Sequence, residues 1–412
     1  MHRTRLARRT RPAPARGGIG SLPVLPRMRR RLVCAALALT GMATGVVGVA
    51  GASPAAASPG NGQPVVVSMG DSYISGEAGR WRGNSLTNSG SRDGTDRAWT
   101  GSSYDPSRVY GTTAASGCHR SDSAEVHGGA LGAETAVNLA CSGATTANVI
   151  RAANGGQSFK GEAPQADRLA AVAAEKDVRA IVLSVGGNDL GFADIITTCA
   201  KDYIVWYSYC HDDQQELVDA RIDGVIAKVG VAVDEIRAVM SEAGYGLQDY
   251  QLVLQSYPSP IPRGAENRYS ERGWSRTLTG GCPFWDKDAD WARDALVPQL
   301  AGRLAAVAQT KGARFLDLQD MLQGREVCAT ASEQVSAGTP ASADRSEWAR
   351  WIDSDSTQGP VQESMHPNYY GQLALGRCLE LFREAATGDF ACRNTPGRSE
   401  SGMYLEAVDP TS

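Results

Sequence analysis

The sequence has no Cys-x-x-Cys pair, and only five of its 412 residues are histidine. Zinc-finger and zinc-ribbon patterns, which need Cys and His at close spacing, are therefore excluded. It also lacks a Gly-x-x-x-x-Gly-Lys-Ser/Thr loop and a dinucleotide fingerprint, so no segment is built to cradle nucleotide phosphates. Gly-x-Ser-x-Gly is missing as well, which excludes the usual α/β-hydrolase nucleophile elbow. The first 57 residues contain no Lys, Asp or Glu, against ten Arg. In that segment a basic cluster, Arg27 to Arg31, leads into the weakly apolar run "LVCAALALTGMATGVVGVAGA", and Ala55-Ala56-Ala57 supplies small residues for cleavage. This is the order of a secretory signal. The run is too rich in Ala, Gly and Thr for a good membrane anchor. Met28 is a candidate true start, and the arginine pairs raise twin-arginine export as an option beside the general route. The expectation is a signal over residues 1–57, a secreted product, and no stable membrane anchor.

Removing ten Arg takes the formal charge from −4 to −14. So acidic a mature chain is a poor partner for nucleic acid or anionic membranes. Nine cysteines occur, of which Cys34 leaves with the signal. The remaining eight are Cys118, Cys141, Cys199, Cys210, Cys282, Cys328, Cys378 and Cys392. An even count in an exported chain points to four disulfides, and about 105 pairings are open to eight cysteines.

What is present is an alternation of apolar runs and amphipathic stretches. "PVVVSMG", "TAVNLACSG", "VRAIVLSVGGND", "YQLVLQSYP" and "ARFLDLQDML" read as strands. Between them lie helical patterns, and a last helix is expected from Pro367 to about Ala386. Apolar strands alternating with helices argue for a parallel sheet covered on both faces. No Pro/Ser/Gly linker divides the chain, so one domain is expected over residues 58–392. Long insertions interrupt it at 80–117, 201–213 and 263–286, each carrying aromatic residues. Residues 393–412 read as a polar, flexible tail.

In a parallel sheet, sites form beyond the carboxyl ends of the strands. There the sequence places Gly70-Asp71-Ser72, Ser142-Gly143 and Gly186-Gly187-Asn188-Asp189, and the loop before the last helix carries Glu363-Ser364-Met365-His366-Pro367-Asn368. Each is ordinary turn chemistry when taken alone. Together they offer a weak nucleophile (Ser72), a base to activate it (His366) and a carboxylate to orient that base (Glu363). The N–H groups of Ser72 and Gly143, with the Asn188 amide, add three donors for an oxyanion. Asp71 reads as a turn-holding residue.

"GDSY" at 70–73, glycine at 143, "GGND" at 186–189 and "ESMHPN" at 363–368 occur in an order that resembles the four blocks of the SGNH, or GDSL, hydrolases. The resemblance covers about Val65 to Cys378. "SGCHRS" at 116–121 and "NLACSGA" at 138–144 are similar to secreted actinobacterial lipases and esterases of that family. It implies a flavodoxin-like three-layer α/β/α sandwich with about five parallel strands. It also implies ester hydrolysis with Ser72 as nucleophile, His366 as base, and Ser72, Gly143 and Asn188 as the oxyanion hole, without metal or cofactor. The disulfides it implies are Cys118–Cys141, Cys199–Cys210 and Cys282–Cys328, which leaves Cys378 with Cys392. One position departs from the pattern: the family places Asp three residues before the histidine, and this chain has Glu363. Asp353, Asp355 or a backbone carbonyl are the alternatives for orienting His366. The expected substrate is a small-molecule or lipid ester, taken by a monomer of lipase or esterase type. A carbohydrate O-acetyl esterase, a phospholipase and a non-catalytic binding protein are the competing readings.

Overall fold

A computed structural model describes residues 59–353 and 357–408. The expected signal at 1–57, with Cys34, and the candidate Asp355 lie outside the described residues. The strands are β1 (Pro64–Gly70), β2 (Thr135–Asn138), β3 (Asp177–Ser184), β4 (Gln251–Gln255), β5 (Arg314–Asp317), β6 (Phe390–Asn394) and β7 (Met403–Ala407). They form a seven-stranded sheet in the order β2-β1-β3-β4-β5-β6-β7, parallel except for the β6–β7 pair. The central strands are Val-, Ile- and Leu-rich because layers cover both of their faces, so both sets of alternating side chains must be apolar. Six of the seven residues of β1 are buried. The β2-β1-β3-β4-β5 portion has the flavodoxin-like order that the resemblance implied.

The helices that frame the site are α1 (Ser72–Ser75), α2 (Gln165–Glu175), α3 (Phe192–Lys201), α4 (His211–Glu242), α5 (Val297–Lys311) and α6 (Tyr369–Glu384). Helix α4 packs against α2 and α5, while α6 lies against the turn Glu125–Gly128. Here Gly376 and Gly128 approach so closely that a Cβ on Gly128 would sit 2.8 Å from the Gly376 Cα. The result is an α/β sandwich. Among the described residues, no helix is long and apolar enough to cross a membrane.

Two expectations are corrected. The sheet has seven strands rather than about five, and residues 393–408 are not a free tail. Cys392 is bonded to Cys378 in α6, and β6 pairs with both β5 and β7. The composition is polar here because β7 is an edge strand with most of its side chains exposed. Cys118–Cys141, Cys199–Cys210 and Cys282–Cys328 pair as the resemblance implied, and the two cysteines it left over, Cys378 and Cys392, pair with each other.

Candidate active site

Strand β1 ends beside β3, with Gly70 opposite Ser184. Gly70 has φ +129°, and a Cβ there would lie 1.8 Å from the Ser184 carbonyl oxygen, so only glycine fits. This is the point where the strand order reverses, the usual place for a site in an open α/β sheet. Asp71 then caps α1: its Oδ1 accepts the Tyr73 N–H at 3.2 Å, and its Oδ2 accepts the Tyr257 hydroxyl at 2.5 Å. Burial pushes the Asp71 carboxyl up to about 7, against the pull of those two hydrogen bonds. Asp71 thus holds the turn, and Ser72 stands at the first helical position of α1.

The Ser72 Oγ lies 2.7 Å from Nε2 of His366, and His366 Nδ1 lies 2.8 Å from the backbone carbonyl of Ser364. A carbonyl can only accept, so Nδ1 carries the proton and Nε2 presents its lone pair to the serine. The imidazole is therefore set in the tautomer of a general base. Burial lowers its pKa, an effect that the Glu77 charge partly opposes. The fold makes the Ser364 contact possible through Met365, which adopts φ +61° and turns the chain back on itself. That strained residue is pinned by the Tyr73 hydroxyl on its carbonyl (2.9 Å) and by its own N–H on the Arg350 carbonyl (2.8 Å).

Gly143 and Asn188 meet Ser72 and His366 around one cavity of about 550 Å³. Gly143 has φ +86°, and among the described residues its N–H has no hydrogen-bond partner. Asn188 uses one amide N–H on the Ala144 carbonyl at 2.8 Å and keeps a second. Asp189 joins the two loops by accepting the Thr146 N–H and hydroxyl at 2.8 and 2.7 Å. The cavity is otherwise mainly apolar. It shares Tyr73, Phe192, Ile196, Tyr257 and Met365 with a second, narrow cavity of about 70 Å³ that is almost wholly apolar.

Residues 69–374 match the GDSL-like lipase/acylhydrolase family. The chain belongs to that family. No curated protein matches the sequence. Among solved structures, the chain is similar to an extracellular lipase from Streptomyces rimosus, at 22% identity and TM-score 0.46, covering 79% of this chain and 100% of that one. It is also similar to a carbohydrate acetylesterase from Sinorhizobium meliloti, at 11% identity and TM-score 0.33, with the same coverage.

In this GDSL-family chain, four of the five predicted site residues, Ser72, His366, Gly143 and Asn188, come together. Glu363 does not join them. Its carboxylate is 1% exposed and accepts the Trp81 indole N–H at 2.7 Å and the Tyr110 hydroxyl at 2.6 Å. The side chain leaves the short turn Val361–Glu363 toward the 80–117 insertion, where Trp81 and Tyr110 hold it. Among the described residues, no carboxylate is hydrogen-bonded to His366; the contact expected of Glu363 is made by the Ser364 carbonyl. Asp353 Oδ2 accepts the Gln358 N–H at 2.6 Å. Burial and the nearby Glu77 charge raise the Glu363 pKa. Glu363→Gln should therefore keep kcat within about tenfold of the parent, whereas losing a true triad carboxylate costs about 10⁴. The same change should lower the melting temperature by several degrees, because one of two buried donors loses its acceptor at about 1–3 kcal/mol. A 10⁴ loss with unchanged melting would return Glu363 to a catalytic role.

Several supporting residues were given no role by the sequence reading. Tyr73, Arg350 and Met365 shape the histidine loop. Gln362 reaches from it to the Ser142 hydroxyl and the Glu77 carboxylate, both at 2.8 Å, and Glu77 also meets His119 Nδ1 at 2.7 Å. Tyr73 and Met365 lie inside the GDSY and ESMHPN blocks and Gln362 just before the second, but residue order did not say which contacts their side chains would make.

Proposed function

We propose that this protein is an exported serine esterase of lipase type, cleaving carboxylic esters through an acyl-enzyme. The carrying observation is the 2.7 Å contact between the Ser72 hydroxyl and the lone-pair nitrogen of His366, at the wall of a roomy cavity. In this reading His366 Nε2 takes the Ser72 proton as Oγ attacks the ester carbonyl. The oxygen gains negative charge among the N–H groups of Ser72, Gly143 and Asn188. Collapse expels the alcohol, which receives the proton from His366, and water repeats the sequence to release the acid. The Ser364 carbonyl stabilises the imidazolium by accepting from Nδ1 throughout. The reaction balances on these groups alone.

The apolar inner cavity between Phe192, Tyr257 and Met365 supports an aliphatic acyl group as the part bound deepest. Four disulfides and the signal-like leader support export. A second reading, a carbohydrate O-acetyl esterase, draws on Trp206 and Trp274, which are 70% and 53% exposed and suited to stacking on sugar rings. The deciding experiment is a p-nitrophenyl ester chain-length series, run beside acetylated xylan and phosphatidylcholine. Turnover rising from acetate to medium chains supports the lipase-type reading, and a sharp acetyl optimum supports the carbohydrate esterase. A folded protein that neither turns over esters nor labels at Ser72 with a fluorophosphonate probe would leave only a binding role.

A further inference from the structure

The tight turn at residues 159–162 contains a residue that local preference disfavours. Phe159 and Glu162 exchange backbone hydrogen bonds at 3.0 and 2.9 Å, and the two residues between them, Lys160 and Gly161, have φ +49° and +80°. Such a turn asks for Asn-Gly or Gly-Gly, because a side chain with positive φ is strained by about 1–2 kcal/mol. Lysine has no local hydrogen bond with which to offset that strain. The turn is staked in place by Glu162, whose carboxylate takes Arg120 at 2.7 Å and Arg168 at 2.5 Å. What the strained position achieves is reach. Lys160 Nζ is half-buried and donates to the Ser142 carbonyl at 2.7 Å and to the Gly117 carbonyl at 2.6 Å.

The Ser142 carbonyl and the Gly143 N–H belong to one peptide group. A cation on the oxygen of an amide draws electrons from its nitrogen and makes the N–H at the other end a stronger donor. The same contact fixes the peptide plane. Other bonds hold the rest of Ser142: its N–H donates to the Cys118 carbonyl at 3.0 Å and its hydroxyl accepts from Gln362 at 2.8 Å, while Cys141 beside it is cross-linked to Cys118. Lys160 is thus the charged contact on the oxygen of a peptide group whose N–H is left unpaired among the described residues, while the rest of Ser142 is tied down. It lies close to Gly143, where a Cβ would come within 3.9 Å of Nζ, beside the Phe159 ring at 3.4 Å.

We propose that Lys160 is a positioning residue for the oxyanion hole, polarising and orienting the Ser142–Gly143 peptide so that the Gly143 N–H stabilises negative charge on the substrate oxygen. This rests on the esterase reading above, with Gly143 as an oxyanion donor. Its contribution arises only when that charge develops, so it appears in kcat and not in ground-state binding.

The test uses the full-length protein and three variants: Lys160→Gln, which keeps a neutral donor, Lys160→Met, which removes it, and Lys160→Arg, which keeps the charge. For each, kcat and KM on a p-nitrophenyl ester are measured, with the inhibition constant of an alkyl trifluoromethyl ketone, whose serine adduct carries an oxyanion. Lys160→Gln is expected to lower kcat about tenfold and weaken the ketone by a similar factor, with KM within twofold, a loss of about 1.4 kcal/mol of transition-state binding. Lys160→Met should lose at least as much, and Lys160→Arg should recover most of it. A folded Lys160→Gln protein with parental kcat and ketone affinity overturns the proposal. So does a loss in melting temperature alone, which would make Lys160 a staple between the Gly117 and Ser142 loops. Wild-type protein inert to esters and to the ketone would instead overturn the esterase reading itself.

Discussion

Replacing Ser72 with alanine is expected to lower kcat for ester hydrolysis by about 10⁵–10⁶-fold, with the His366→Ala variant losing nearly as much and the double variant no more than either. The reasoning is that the serine hydroxyl is a weak nucleophile, and the base proposed for it, His366 Nε2, is 2.7 Å away. Without Nε2 the proton has nowhere to go, and without Oγ the base has nothing to activate, so the pair acts as one unit. Ser72 is 6% exposed, and alanine in its place would keep the α1 turn, which is capped by Asp71. The melting temperature should therefore change little. The pH profile gives an independent check. Burial disfavours the imidazolium and holds the His366 pKa below the ordinary value of 6.5. The neutral base persists to lower pH than a solvent-exposed histidine would allow, and activity is lost as pH falls through that depressed value. The acid limb of kcat/KM should lie below pH 6.5. Parental turnover in His366→Ala, or an acid limb well above 6.5 in the parent, would remove His366 from the mechanism.

How much of this was legible in the sequence follows from which interactions are local. The run "PVVVSMG" matches β1 residue for residue, because a central parallel strand is buried on both faces and must be apolar throughout. Ser72, Gly143, Asn188 and His366 could be singled out because each sits where a strand ends or a helix begins, and Gly, Asp, Asn or Pro marks such places. β7 escaped notice because an edge strand carries polar side chains, and β6 because its five residues include Arg393 and Asn394 and the disulfide that holds it cannot be read from cysteine order alone. Glu363 shows the limit most plainly. A spacing of three residues from His366 says that the carboxylate is close along the chain, but not which way it points. Its direction is set by Trp81 and Tyr110, hundreds of residues earlier, within an insertion whose packing no local pattern encodes. Lys160 is a similar case, since its role depends on a carbonyl in another loop.

Asn188→Ala should reduce kcat by about 10²–10³-fold with little change in KM, corresponding to about 2.7–4 kcal/mol of lost oxyanion stabilisation. The amide is well prepared for this task. One N–H is engaged by the Ala144 carbonyl at 2.8 Å, which fixes the plane of the group and leaves the other N–H at the cavity that Ser72 lines. The adjacent Asp189 locks the β3 loop to Thr146, so the donor stays in place while the substrate oxygen changes charge. Ser72 and Gly143 retain their N–H groups in the variant, which is why the loss stops short of that from removing the nucleophile. Asn188→Asp separates charge from size. It is nearly isosteric, yet it replaces a donor with an acceptor facing the Ala144 carbonyl and sets negative charge beside a developing oxyanion. It should be slower than Asn188→Ala, at every pH where the new carboxylate is ionised. If Asn188→Ala instead keeps kcat within about threefold of the parent, the side chain serves only to tie the β3 loop to Ala144, and the oxyanion rests on the two backbone donors alone.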